Sequence, residues 1–318
     1  MFDFARLQET AVGRNMAGAL AMLVSGLGYT VNDAFTKTVS DHLPTGEIIF
    51  VRGIFASAMI VAILVATGFY RRVRVPRSAA FATRIFGEVG ATVLFLAALF
   101  HMPIAEATVI LQIAPLAVTA ASAVFLKEAV GWRRWTAVTI GFCGILLIVR
   151  PGFSGFDAWA LVALAAVVFI VIRDLSTRLI SADIPTLTIT MMTTFTITVL
   201  GLAMGALETW VMPTAAEVFF LFAAAVFIII GYFFIIVAMR VADIGFVSPF
   251  RYAIVLYAGI LGYAIWGDVP DLPMVVGAAI VIATGIYTFH RERLVRRTDP
   301  EAAPSPRPPG AGPPLANG

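Results

Sequence analysis

NDAFTKTVSDHLPT, residues 32–45, returns 141 residues later as RDLSTRLISADIPT, residues 173–186. The two agree at Asp33/Asp174, Thr36/Thr177, Ser40/Ser181, Pro44/Pro185 and Thr45/Thr186, and Lys37 faces Arg178 charge for charge. A second match follows in each half. HMPIAEA (101–107) lies over AMRVADI (238–244) at an offset of 137, pairing Met102, Ala105 and the acids Glu106/Asp243. Gly144–Ile145 returns as Gly285–Ile286, again at 141. The chain is an internal duplication, and the stretches between the matches say what was duplicated.

Those stretches are apolar. AWALVALAAVVFIVI (158–172) and VFFLFAAAVFIIIGYFFIIVAM (218–239) carry no charge at all. Over 318 residues 60% are hydrophobic and 13% charged, against about 25% charged in a soluble domain. Runs of this length read as bilayer-spanning helices, and they lack the alternation of a barrel strand. Ten segments are expected, near 15–39, 46–69, 79–100, 103–126, 133–150, 156–177, 185–207, 214–239, 243–265 and 272–290. The fold class is therefore an all-α polytopic membrane protein of ten transmembrane helices, arranged as two five-helix repeats. Five is odd, so the second repeat enters the membrane from the opposite side. Inverted repeats of this kind build transporters around a central site. The boundaries expected are an N-terminus at 1–14, repeats at 15–150 and 156–290, and a tail at 291–318. From Asp299 onward the tail is mostly Pro, Gly and Ala, a composition that favours disorder.

Basic residues fix the orientation. One set of ends holds Arg6, Arg14, Arg71, Arg72, Arg74, Arg77, Lys127, Arg133, Arg134, Arg178, Arg240 and Arg291, Arg293, Arg296 and Arg297; the other holds little beyond Arg150 and the deeper Lys37. The positive-inside rule then puts both termini in the cytoplasm. The same loops account for the net charge of +3, so anionic lipid rather than nucleic acid is the partner they imply. Asp3 and Glu9 ahead of the first apolar run, with no small-residue cleavage site after it, do not read as a signal peptide.

Single-residue features exclude several chemistries. One cysteine, Cys143, and three dispersed histidines offer no metal centre, and no phosphate-cradling motif or nucleophile–base spacing is present. No cofactor and no enzyme activity are expected. What remains is charge inside apolar segments, which is costly unless paired, solvated or used. Asp33 and Lys37 share a helix face four residues apart, either as a local ion pair or as cavity groups; Asp174 and Arg178 repeat that spacing toward the inner end and read as the more structural pair. Arg52 either snorkels to the outer surface or anchors an anion or Asp33. Arg84 and Glu88 are a third i,i+4 pair, with Glu88 the deeper. Arg251, in SPFRYA, has only Ala114 as its repeat mate, so it reads as an anion anchor, a partner of Glu88 or Asp33, or a snorkelling residue. Glu106 and Asp243 suit first helical turns. Tyr29, Phe50, Tyr252, Tyr257, Tyr263 and Trp266 offer surfaces for a flat ligand, and Pro115 and Pro249 each free a backbone carbonyl that can kink a helix or line a cavity. Gly259 and Gly262 read as a close-packing pair. The candidates for substrate binding or coupling are Asp33, Lys37, Arg52, Glu88, Arg251, Tyr252, Tyr29 and Trp266.

The stretches NDAFTK (32–37), IIFVRG (48–53), ALFHMPIAEATVI (98–110), Pro115 through FLKE (125–128), PFRYA through GDVPD (249–271) and GAAIVIATGIYTF (277–289) resemble the drug/metabolite transporter superfamily in its EamA-type subdivision. The resemblance covers nearly the whole chain. It implies a ten-helix carrier of the bacterial inner membrane, a small-molecule substrate such as riboflavin, S-adenosylmethionine or an amino acid, and either a single chain or a homodimer. The chain departs from a fully duplicated pattern in TLTITMMTTFTIT (186–198), which lacks the arginine that the second segment carries. A channel, or a structural or receptor protein of the membrane, is the rival class.

Overall fold

The computed structural model describes residues 11–73, 78–127, 131–150, 157–180, 184–242 and 244–298. Arg6, Arg74, Arg77, Glu128, Ser181, Asp243, the joint at 151–156 and the tail from Asp299 to Gly318 lie outside the described residues. All regular structure among the described residues is helical: α1 (Ala11–Val39), α2 (Thr45–Ala66), α3 (Ala79–His101), α4 (Ile104–Leu111), α5 (Ala114–Phe125), α6 (Trp132–Val149), α7 (Ala158–Arg178), α8 (Thr186–Gly205), α9 (Ala215–Val241), α10 (Ile244–Val247), α11 (Ala253–Trp266) and α12 (Leu272–Thr298), with short 3₁₀ turns at Phe69–Arg72 and Ser248–Tyr252. Among the described residues, eight spans are long and apolar enough to cross a membrane, with α4 and α5 counted as one; α1 and the apolar Leu272–Thr288 part of α12 bring the number of segments to ten.

The fourth and ninth segments are broken rather than continuous. α4 stops at Leu111 and α5 restarts at Ala114 with Pro115 in its first turn. α10 gives way to the 3₁₀ turn holding Pro249 before α11 begins. A proline cannot donate to the helical ladder and frees the carbonyl a turn earlier, so both breaks follow from the sequence.

Packing obeys the duplication. α1 lies against α9 and α3 against α7, which are the same pair once the repeats are exchanged. α2 packs on α8 and α6 on α12, each pair mapping onto itself, and α4 packs on α11. Glycine permits the closest of these approaches. A Cβ on Gly28 would come within 2.9 Å of the Gly231 nitrogen, and one on Gly87 within 2.7 Å of the Arg173 nitrogen. Gly144 and Gly277 play the same part between α6 and α12. The expectation for Gly259 is corrected: it faces open space, and only Gly262 of that pair packs, against Ile104.

The buried core runs through α4 and α5, with Ile104, Ile110, Ile113 and Leu116 fully enclosed by α3, α6, α7 and α11. Outward faces carry exposed Leu20, Leu27, Val61, Val168, Phe233 and Ile260. A large exposed apolar belt on bilayer-length helices is a lipid-facing surface.

Candidate functional site

A cavity of about 530 Å³ lies between the two repeats. Its floor is made by Asn32 and Asp33 of α1 and Arg52 of α2; its walls include Glu88 of α3, Gln112 at the α4–α5 break, and Tyr29 and Tyr232 of α1 and α9. Arg84, Asp174 and Thr177 bring it to the end of the bundle where the basic residues gather. There Thr177 is exposed and Asp174 is partly so.

The opposite end is shut. Lys37, one turn beyond Asp33 on α1, directs its ammonium at the last carbonyls of α3, donating to Leu99 O at 2.6 Å and to Met102 O at 2.7 Å. Its Nζ sits 5.5 Å from the centre of the Trp266 ring. Lys37 and Trp266 are thus parts of a closure rather than cavity groups, and Lys37 is not paired with Asp33. The loops at this end are cross-linked between repeats. Gly46 N donates to Glu208 at 2.8 Å, Val211 N donates to Glu47 at 3.1 Å, and His42 meets Glu217 at 2.7 Å. Arg150, in the left-handed conformation that ends α6 (φ 47°), bonds Asp271 before α12.

Inside the cavity the charges form a graded network. Glu88 lies between two guanidiniums, 3.5 Å from Arg84 on its own helix and 3.6 Å from Arg173 on α7. Arg173 also bonds Asp174 at 2.8 Å, and Arg84 donates to Thr193 of α8 at 2.7 Å. The Arg84–Glu88 pair is therefore present as the spacing predicts. Asp174 pairs with the residue before it rather than with Arg178, whose guanidinium reaches Ser122 of α5 at 3.1 Å. Arg52 does not snorkel: it is 8% exposed and donates to the Asn32 side-chain oxygen Oδ1 at 3.1 Å. The Asn32 amide in turn donates to Asp33 at 2.9 Å.

Of the remaining sequence candidates, Tyr29 and Arg251 line the cavity and Tyr252 does not. Tyr252 is 3% exposed and its hydroxyl lies against Gly285 without a hydrogen-bond partner. Its neighbour Arg251 turns the other way because the 3₁₀ turn separates successive side chains by about 120°. Phe50 packs on Trp210, and Tyr263 is exposed on the outer face of α11; neither lines the cavity. Arg173, Tyr232 and Gln112 are among the lining residues that the sequence reading did not single out. A signal existed for Arg173. The 141 offset sets it over Asn32, and each of the two bonds the aspartate that follows it.

A charged, solvent-reaching cavity lined by residues of both repeats and flanked by two broken helices fits a membrane carrier. The sequence agrees: residues 16–150 and 157–289 each match the EamA-like transporter family. The chain belongs to the EamA-like transporter family, and it is a small-metabolite transporter, not an enzyme. It is 29% identical over 288 residues to a riboflavin transporter of Vibrio cholerae, covering 89% of this chain and 96% of that one. Similarity extends to an S-adenosylmethionine uptake transporter of Rickettsia prowazekii (24%, covering 87% and 93%) and to the pseudopaline exporter CntI of Pseudomonas aeruginosa (25%, covering 85% and 95%). A protein of known crystal structure shares the fold with a TM-score of 0.64 at 19% identity, over 88% of this chain and 99% of that one.

Proposed function

We propose that this protein moves a small organic metabolite across the bacterial inner membrane by alternating access, with residues 15–150 and 156–290 rocking as two bodies about the central cavity. The observation that carries this reading is the cavity's one-sided access: it reaches the basic end and is shut at the other by Lys37 and the loop cross-links. With the basic end and both termini in the cytoplasm, this is the inward-open half of the cycle. Arg251 and Arg52 hold the polar part of the substrate and Tyr29 and Tyr232 face its ring. Glu88 is already matched by two arginines, which leaves Asp33 as the carboxylate free to take a cation or a coupling proton. Riboflavin and S-adenosylmethionine are the first solutes to try, because relatives carry them, and amino acids come next. The cavity lies within one chain, so a homodimer would hold two independent sites. Nucleic acid has no place in this scheme.

The test is flux into liposomes containing the purified protein. Saturable uptake of one of these solutes, strongly reduced in Arg251→Gln and kept in Phe250→Leu, is expected. Arg251→Gln with unchanged affinity and rate would remove Arg251 from the site. A non-saturating conductance would replace the carrier with a channel.

A further inference from the structure

A second space lies between the repeats, away from the central cavity. α6 of the first repeat and α12 of the second pack antiparallel, with Gly144 against Gly277 and Gly141 against Thr284. Toward the basic end this contact gives way to a groove of about 370 Å³. Its floor is the small, buried Ala137, and its walls include Trp132 and Ile140 of α6 and Ala283 and Tyr287 of α12. Trp132, Ile140 and Tyr287 are exposed. The lining belongs to the apolar stretches Trp132–Val149 and Leu272–Thr288, so the solvent at the groove is lipid.

The groove gives a polar solute little to bond. Thr136 donates to Trp132 O at 2.8 Å, and Thr284 donates to Ile280 O at 2.8 Å. Both threonine hydroxyls are thus engaged by their own helices and present methyl surface to the groove.

The mouth of the groove is charged. Arg133 is exposed there, with its guanidinium 5.4 Å from the centre of the Trp132 ring, and it forms no ion pair among the described residues. Arg134 adds a second cation to the first turn of α6, which holds no acid, and no acid lines the groove. These arginines stand at the positive end of the helix dipole, so the charge at this corner is all of one sign. The register set by the glycines brings position 133 level with position 291 of α12. The helix runs on from there through RERLVRR (291–297), with four arginines for one glutamate. Aromatic rings and cations at one level, with an apolar slot on the hydrocarbon side, match the passage of a phospholipid from acyl chain to phosphate. A zwitterionic headgroup would bring an ammonium that no acid of the groove receives.

We infer that the α6–α12 groove is a binding site for an anionic phospholipid: one acyl chain lies between the two helices and the phosphate meets Arg133. Such a lipid touches one helix of each repeat and links them at the basic end. The inference is independent of which solute the central cavity takes.

The experiment uses the full-length protein purified in detergent. Native mass spectrometry counts the lipids retained from equal mixtures of phosphatidylglycerol and phosphatidylcholine with the same acyl chains, and thermal unfolding with each lipid gives a second readout. One phosphatidylglycerol should be retained in preference and should raise the melting temperature more than phosphatidylcholine does. Arg133→Gln should reduce that preference about fivefold. Arg240→Gln makes the same charge change on an exposed arginine of α9 outside the groove, and should leave the preference intact. Ala283→Trp fills the groove and should abolish retention; Ala283→Leu should weaken it, and carries the same test if the tryptophan variant does not fold. Excess inorganic phosphate should not displace the lipid. Equal losses in Arg133→Gln and Arg240→Gln would reduce the effect to a generally basic surface and overturn the inference. So would unchanged retention in the folded Ala283 variants, displacement by inorganic phosphate, or no preference for phosphatidylglycerol in the wild type.

Discussion

Two side chains make opposite points about single residues. Tyr252 looked like a ligand surface beside Arg251, yet its hydroxyl is buried with no partner. Removing an unsatisfied buried hydroxyl relieves a desolvation cost. Tyr252→Phe is therefore expected to transport normally and to melt at the same temperature or higher, as followed by thermal unfolding in detergent. A drop in both would mean that the hydroxyl meets a ligand. Asp271 is the reverse case. Its hydrogen bond from Arg150 is the main cause holding its carboxyl below the ordinary value of 3.8. A carboxylate with a lowered folded pKa stabilises the fold above its unfolded pKa, and the effect is lost as pH falls through the folded one. Asp271→Asn should thus melt slightly lower than wild type at pH 7, and the two should converge as the pH drops below about 4. The difference stays small because the pair is solvent-screened.

Among the elements, the paired helices carry the clearest test. Gly28 of α1 meets backbone of α9, which cannot give way as a flexible side chain would. Gly28→Ala should destabilise the protein by about 1–3 kcal/mol, the usual cost of overpacking. Gly259 of α11 meets nothing within 4 Å, so Gly259→Ala should be neutral or gain about 0.5–1 kcal/mol from helix propensity. Equal effects at the two sites, in the same unfolding assay, would contradict the packing of α1 on α9. These elements also mark how far the sequence can be read. Span positions follow from apolar runs, the repeat follows from the 141 offset, and the breaks follow from Pro115 and Pro249. The pairing of α3 with α7 does not, because residues 85 apart (Glu88 and Arg173) meet only through tertiary packing. Glycine spacing misled at Gly259 for the same reason: a small residue marks a close approach only where a neighbour arrives. Arg173 was legible in principle, through its alignment with Asn32; Tyr232 and Gln112 had no local signal, since an aromatic or an amide in an apolar helix has no direction until the bundle forms.

For the whole molecule, the basic residues decide which solution the cavity meets. Single cysteines at Tyr70 and Val269, both exposed and near opposite ends, placed in a Cys143→Ser background, test this in intact cells. A membrane-impermeant maleimide should label Val269→Cys and spare Tyr70→Cys. The reverse pattern would turn the cavity toward the periplasm and put the N-terminus outside.

The closure by Lys37 has a further implication for the balance between states. Its repeat counterpart, Arg178, occupies the corresponding place at the open end. Opening one end and shutting the other would exchange a lysine lock for an arginine lock, not create and destroy one. A carrier that alternates in this way would have two resting populations separated by the differences between its halves: Lys for Arg, the acids at Glu47 and Glu208, and the arginine missing from α8. Each 1.4 kcal/mol of such difference shifts the ratio tenfold. The divergence of the repeats since their duplication would, in this sense, be a setting of the idle position.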